Sequence, residues 1–556
     1  MIDSIFVQIG TILGLATLGG LLARLLRQPL LVAFIAVGIL IGPSGFGMVG
    51  YSSEIELFAR LGIALLLFVV GLKLDLHIIR TVGPVALASG LGQVLFTSVV
   101  GYLIALLLGM SHVAAIYVAV ALTFSSTIII VKLLSDKREV DSLHGRIAVG
   151  FLIVQDIVVV LVMIALTAFG QPASEVSLWQ EGLLILLKGA LMLVTVALLM
   201  RYVLPGLLHR IAHSVELLML FAIAWAVIGA VVGDTLGFSK EVGAFLAGIS
   251  IASTQYREQV AARLVSLRDF LLLFFFIELG AALDLATLGD QAGAAAIFSL
   301  FVLIGNPLIV MAIMGYMGYR KRTGFLAGLT VAQISEFSLI LAALGFSLGH
   351  LEQETVGLIT LVGLITISAS TYMILYSHPL YERLAPWLSL FERKVPHREL
   401  DSPVEDQGSV DILLIGLGRF GAAVAEHLHQ RGCRLLAVDF DPELVRRHTH
   451  LGYKVHYGDA EDPEFIGSLP LARAKWVVST VRDRAINRML LHALHEQGYR
   501  GKIAVSSASR HEALLFEQEG VDMVLIPYDD AAREAADRLQ SHSVPCSNKS
   551  PEEDPA

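Results

Sequence analysis

Residues 147–166 form an apolar run interrupted once, near the centre, by Gln155-Asp156. A carboxylate in the middle of a membrane-length helix costs about 2.5–3.5 kcal/mol on insertion scales. Such a side chain must meet a proton or a cation, and Asp156 is read as a site where the two compete. Gln155 can lend a carbonyl oxygen to a cation without adding a second charge. Two other apolar runs carry polar interruptions: Ser125, Ser126 and Thr127 in one, and Gln333, Ser335 and Glu336 in the other. Hydroxyls and amides can satisfy backbone groups freed where a membrane helix unwinds. The alternative is that they only bond to the preceding turn or join helices. Glu336 follows its interruption closely enough to face the positive end of a half-helix. Glu278, mid-run in F-F-F-I-E-L-G, is a further acid able to carry a proton or pair with a cation. No lysine or arginine stands at comparable depth, so the available chemistry is cation binding by hard oxygen ligands.

A second constellation lies near the C-terminus. An apolar strand pattern from Val410 runs into G-x-G-x-x-G at Gly416, Gly418 and Gly421, with Arg419 and Phe420 inside the loop. A helix pattern follows, then a second strand ending at Asp439, 18 residues past Gly421. This spacing is that of a phosphate-binding turn followed by a ribose-binding acid. Asp459 closes a third strand, and further strand patterns at Trp476, Ile503 and Met523 predict a six-stranded parallel sheet. The predicted nucleotide residues are Gly416, Gly418, Arg419, Phe420, Gly421, Asp439 and Asp459. A Rossmann-like sheet that binds nothing and only mediates assembly is the alternative.

The elements that must hold these side chains are mostly apolar. The chain has 556 residues, 55% of them hydrophobic and 16% charged, against about 25% charged in soluble proteins. Its net charge of -9 and lack of a long basic run argue against nucleic acid as a partner. Two cysteines far apart imply neither a disulfide framework nor a cysteine metal site. The start of the chain lacks a basic n-region, so the first apolar run is expected to be retained.

Thirteen membrane spans are predicted at 4–24, 30–48, 57–72, 84–108, 113–134, 147–168, 182–204, 215–233, 240–255, 268–284, 294–318, 324–348 and 355–377. Sixteen basic residues fall in one alternate set of loops, whereas the opposite set holds Arg60 and Lys240. Basic loops stay cytoplasmic, which predicts an external N-terminus and a cytoplasmic C-terminal domain. The expected organisation is a transmembrane domain at 1–378, an interfacial helix and linker at 379–409, a nucleotide domain at 410–540 and a disordered tail at 541–556.

An internal repeat relates the polar runs. G-x-x-L-D-L occurs at Gly71 and at Gly280, an offset of 209 residues, and Ala121-Leu-Thr-Phe-Ser-Ser-Thr127 parallels Gly328–Glu336 at nearly that offset. An odd number of spans separates the copies, so they cross the membrane in opposite senses. Inverted repeats with broken helices at the midplane are a secondary-transporter pattern.

The motifs L-T-F-S-S-T, V-Q-D-I and A-Q-I-S-E-F, followed by the nucleotide domain, resemble the Kef-type branch of the monovalent cation–proton antiporters, in the glutathione-gated potassium–proton layout. The resemblance covers nearly the whole chain. It implies a membrane all-α antiporter fold joined to an α/β Rossmann-like RCK (TrkA-N) domain. It implies exchange of K+ or Na+ for H+ and no enzymatic activity. It also implies a homodimer formed through both parts in a bacterial inner membrane, in contact with lipid, and a regulatory adenine nucleotide, AMP or NAD(H), at 416–421 and Asp439. Gln155-Asp156 fills the family's ion-binding pair, and one carboxylate there implies one proton per cation.

Two positions depart from the pattern. Gly305-Asn306-Pro307 stands where many exchangers of this fold have a lysine or arginine. Val505-Ser506-Ser507-Ala508 replaces the A-R-A-R of glutathione-gated members, so that gating is not carried over. A potassium channel is the first rival, but Thr81-Val82-Gly83 lacks the Y-G of a filter. A membrane oxidoreductase using NAD is the second, and no histidine pairs on adjacent runs mark a haem.

Overall fold

The computed structural model describes residues 5–47, 53–73, 83–137, 139–140, 142–169, 191–192, 194–236, 238–283, 285–392, 410–460 and 463–541. Residues 74–76 and Asp284 of the G-x-x-L-D-L pair, Thr81-Val82, most of the predicted linker and all but the first residue of the predicted tail lie outside that set. Two compact units result: 1–316 with 321–391, and 317–320 with 392–556.

The first unit is helical. In chain order it has α1 (Ile5–Leu25), α2 (Leu30–Ile41), α3 (Ser53–Lys73), α4 (Gly83–Leu107), α5 (His112–Ala121), α6 (Thr127–Asp136), α7 (Leu143–Phe169) and α8 (Leu204–Ile211). It continues with α9 (Val215–Thr235), α10 (Lys240–Ala252), α11 (Arg257–Ala281), α12 (Leu285–Leu300), α13 (Asn306–Tyr316), α14 (Lys321–Leu329), α15 (Glu336–Ser347), α16 (Gln353–Leu375) and α17 (Ser377–Leu388). A π-helical turn, Phe301–Gly305, joins α12 to α13 immediately before Pro307. Among the described residues, eight helices are long and apolar enough to cross a membrane, and each predicted run carries helix.

Two runs are broken in the middle. The first helix stops at Ala121 and restarts at Thr127, and the second stops at Leu329 and restarts at Glu336. The half-helix starts, His112 and Lys321, then Thr127 and Glu336, obey the 209-residue offset of the repeat. Each second half-helix is started by a serine. Ser126 Oγ accepts from Ile129 N at 3.3 Å, and Ser335 Oγ accepts from Phe337 N at 3.1 Å. Serine at an N-cap meets an otherwise orphaned backbone N–H, so the sequence restarts the helix where the hydroxyl falls.

Glycine sets the packing of α2, α3, α10 and α11. A Cβ on Gly38 would strike the carbonyl oxygen of Ile277, and one on Gly280 that of Ile35. The same reciprocal contact joins Gly71 to Phe245 and Gly248 to Phe68. Only glycine lets two helix backbones approach this closely.

The second unit alternates β1 (Ile412–Ile415), α18 (Arg419–Gln430), β2 (Leu435–Asp439), α19 (Pro442–His450), β3 (Lys454–Tyr457), α20 (Pro463–Ser468), β4 (Trp476–Ser479), α21 (Arg484–Glu496), β5 (Lys502–Ser506), α22 (Arg510–Gln518), β6 (Met523–Leu525) and α23 (Pro527–Ser541). Its six strands lie in the order β3-β2-β1-β4-β5-β6, and every pairing is parallel. The order reverses between β1 and β4, and that crevice is where doubly wound sheets bind ligands.

Candidate functional site

Asp156 lies halfway along α7, and its Oδ2 accepts from the Thr127 hydroxyl at 3.0 Å. Thr127 is the first residue of α6, so the break places its hydroxyl on the acid. Glu336 is the first residue of α15 and is buried to 4% exposure. The Ser335 hydroxyl donates to Glu336 Oε2 at 3.4 Å. Thus the two repeat copies each present the start of a half-helix, one with a hydroxyl and one with a carboxyl.

Gln155 has a different set of partners. Its Oε1 accepts from the backbone N–H of Ser125 at 3.0 Å, and its Nε2 donates to Gln93 Oε1 on α4 at 2.7 Å. One lone pair of the oxygen expected to face a cation therefore holds the unwound segment. Gln93 Nε2 donates in turn to Thr123 O at 3.0 Å and to Thr97 Oγ1 at 3.1 Å. In the second copy, Gln333 Oε1 accepts from Ser370 Oγ at 2.8 Å, and Ile334 N donates to Thr366 Oγ1 at 3.3 Å. Side chains thus occupy the backbone positions that unwinding frees, as a water-free environment requires.

Glu278 is a correction in position. Hydropathy put it mid-run, but α11 begins at Arg257 and Glu278 sits in its last turn. The helix extends backwards through a charged stretch that a hydropathy window excludes. Its charged neighbours are Glu56 and Arg60 of α3, and it takes no part in the hydrogen bonds around Asp156.

Sequence reading missed Gln93 and Thr97 and gave Asn306 no role. Gln93 and Thr97 stand out as a polar pair four residues apart in an apolar run, and Thr97 and Asn306 differ by the repeat offset.

Outside the apolar segments, a charged knot ties the turn between α6 and α7 to the start of α17. Glu139 accepts from Lys137 Nζ at 2.9 Å, His144 Nε2 at 3.2 Å and His378 Nε2 at 2.8 Å, while Lys137 also donates to Ser377 Oγ at 2.7 Å. Burial works to raise the Glu139 carboxyl, but the bonds from His144, His378 and Lys137 outweigh it and hold the group well below its usual range.

In the second unit each glycine of the loop has a different geometric reason. Gly416 has φ +93°, which only glycine adopts readily. Gly418 caps α18, and a Cβ there would meet nothing, so its flank is open. Gly421 closes on the Gly416 carbonyl and the Thr480 side chain, leaving no room for a Cβ. Arg419 is exposed beside the opening and Phe420 half-buried. Asp439 is buried at the end of β2, where Oδ2 accepts from Leu417 N at 2.5 Å and Oδ1 from Asp441 N at 2.7 Å. It braces the glycine loop from behind. Asp459 is buried just past β3.

The family model described as "Sodium/hydrogen exchanger, transmembrane" matches residues 13–375, and the TrkA-N domain model matches residues 412–527. The glutathione-regulated potassium-efflux system protein KefC of Escherichia coli O157:H7 is 27% identical over 88% of this chain and 78% of its own length. K(+) efflux antiporter 5 of Arabidopsis thaliana is 28% identical over 65% of this chain and 64% of its own. Among solved structures, the sodium proton antiporter MjNhaP1 from Methanocaldococcus jannaschii gives a TM-score of 0.49 at 16% identity, covering 69% of this chain and 97% of that one.

Proposed function

Because the chain belongs to the sodium/hydrogen exchanger family, we propose that it exchanges potassium for protons at Asp156 under control of a nucleotide held by its glycine loop. It is a multi-pass membrane transporter exchanging a monovalent cation for protons, and not an enzyme. Potassium as the cation is supported by the names of its relatives. The observation that carries the site is the meeting of Asp156 with Thr127, at the start of one half-helix, while Glu336 starts the other.

In the working cycle Asp156 carries a proton or the cation in turn. A core bundle containing the helices that bear the site, α5, α6, α7, α14 and α15, shifts against the remainder to change which side it faces. Ser125, Ser126, Gln333 and Ser335 shape the ligand cage around it, and Glu278 stands outside it. The nucleotide domain lies in the cytoplasm, the N-terminus is external, and the protein works as a homodimer in lipid. An adenine nucleotide, AMP or NAD(H), sets its phosphate against Gly418 and the N-terminus of α18, where backbone N–H groups favour an anion.

In everted vesicles, potassium-dependent proton release should vanish in Asp156→Asn, and retained exchange would overturn the site. Adding potassium and sodium separately decides the cation. Gly418→Val places side-chain atoms where the protein leaves open space, so folding should survive while the response to AMP or NADH is lost. An unchanged response would exclude this loop as the nucleotide site.

A further inference from the structure

Thr97 donates to Asn306 Oδ1 at 2.7 Å, and the two residues are 209 positions apart, the interval between the repeat copies. Asn306 Nδ2 reaches Leu122 O at 3.3 Å and Val331 O at 3.4 Å, two carbonyls also separated by that interval. One amide therefore sits where the inverted copies meet and serves the same carbonyl in each. Both carbonyls lie where a half-helix ends, α5 in one copy and α14 in the other. The C-terminal ends of helices carry roughly half a negative charge and unsatisfied acceptors. The two hydrogens of an amide match two such acceptors without introducing a charge.

The bonds form one directed chain. It starts at the Ser125 backbone N–H, which can only donate, and passes through Gln155, Gln93, Thr97 and Asn306. It ends on backbone carbonyls, which can only accept. Fixed ends leave each side chain in between one orientation. Gln93, Thr97, Gln155 and Asn306 are all fully buried, so water offers no substitute partner.

We propose that Asn306, oriented by Thr97, is a positioning residue for exchange. It clamps the ends of α5 and α14, and through Gln93 and Gln155 it sets the depth of α7 so that Asp156 meets Thr127. The proposal rests on the reading of Asp156 as the exchange site.

Thr97→Val keeps the shape and removes the hydroxyl, while Thr97→Ser keeps the hydroxyl. Per folded transporter in everted vesicles, Thr97→Val should raise the half-saturating potassium concentration at least threefold and lower the maximal rate at least tenfold. Thr97→Ser should restore both to within twofold. Asn306→Asp keeps the oxygen that faces Thr97 but replaces the two-hydrogen donor with an acceptor, and should lose at least tenfold in rate. A Thr97→Val protein with wild-type half-saturation, whatever its melting temperature, overturns the proposal, because a merely structural bond would change stability alone. Retained exchange in Asp156→Asn would instead refute the site, and the two failures are read from different proteins.

Discussion

The helical unit is built in two ways. Among α2, α3, α10 and α11, backbone meets backbone through glycine. Among α4 to α7 and α13 to α16, buried amides and hydroxyls join the two interrupted helices to their neighbours. The glycine contacts do not tolerate an added methyl, because the atoms it would strike are backbone carbonyls. Hydrogen bonds of side chains can be exchanged singly, each worth about 1 kcal/mol net. In the proposed cycle the first set stays fixed and the second, which carries the site, moves.

The largest expected effect breaks the fixed half. Gly71→Val would drive a side chain into the Phe245 carbonyl, which cannot move without shifting α10. Overpacking of this kind costs about 3 kcal/mol or more when backbone must yield. We expect less than about a tenth of the wild-type amount of monodisperse protein on size-exclusion chromatography. A well-folded, active Gly71→Val protein would remove the distinction between the halves.

How much of this was readable beforehand differs between the halves for a physical reason. Asp156 and the serine-rich breaks are legible because a polar atom in lipid is costly wherever it sits, so its presence signals a need. The glycine loop at Gly416 is legible because strand, turn and helix are all local. The contacts of Gly38 and Gly71 are not, since glycine is common in membrane helices and only the crossing of two helices decides which one touches backbone. Nor are Gln93 and Thr97, because the partners that give them a role lie far away in sequence. Glu278 was misplaced because hydropathy sees the apolar part of α11 and not its charged beginning.

A smaller effect belongs to the charged edge of the polar half. Glu139→Gln removes a charge that Lys137, His144 and His378 all bond, at a site only 12% exposed. Hydrogen bonds to a charged group contribute about 1.5–3 kcal/mol, so a loss of that size is expected in stability. Since the folded carboxyl is depressed below its ordinary value of 4.5, the wild-type advantage is fully present above that pH. It is lost only as the pH falls through the depressed folded value. Melting curves of the two proteins should keep a constant gap from pH 7 to pH 5. A gap that closed by pH 5 would mean that Glu139 is not held charged.

The smallest effect compares the two copies within the polar half. Ser126 and Ser335 start equivalent half-helices, and an N-cap serine contributes about 0.5–2 kcal/mol over alanine. Ser126 accepts one bond, from Ile129 N, whereas Ser335 accepts from Phe337 N and also donates to Glu336. Ser335→Ala should therefore cost more than Ser126→Ala, by about the 1 kcal/mol of the added bond. Both proteins should remain folded, with Ser335→Ala melting at the lower temperature and Ser126→Ala between it and the wild type. Should either substitution collapse the protein as Gly71→Val does, the polar half would be as unforgiving as the glycine half. Exchangeable hydrogen bonds would then be no basis for assigning it the motion.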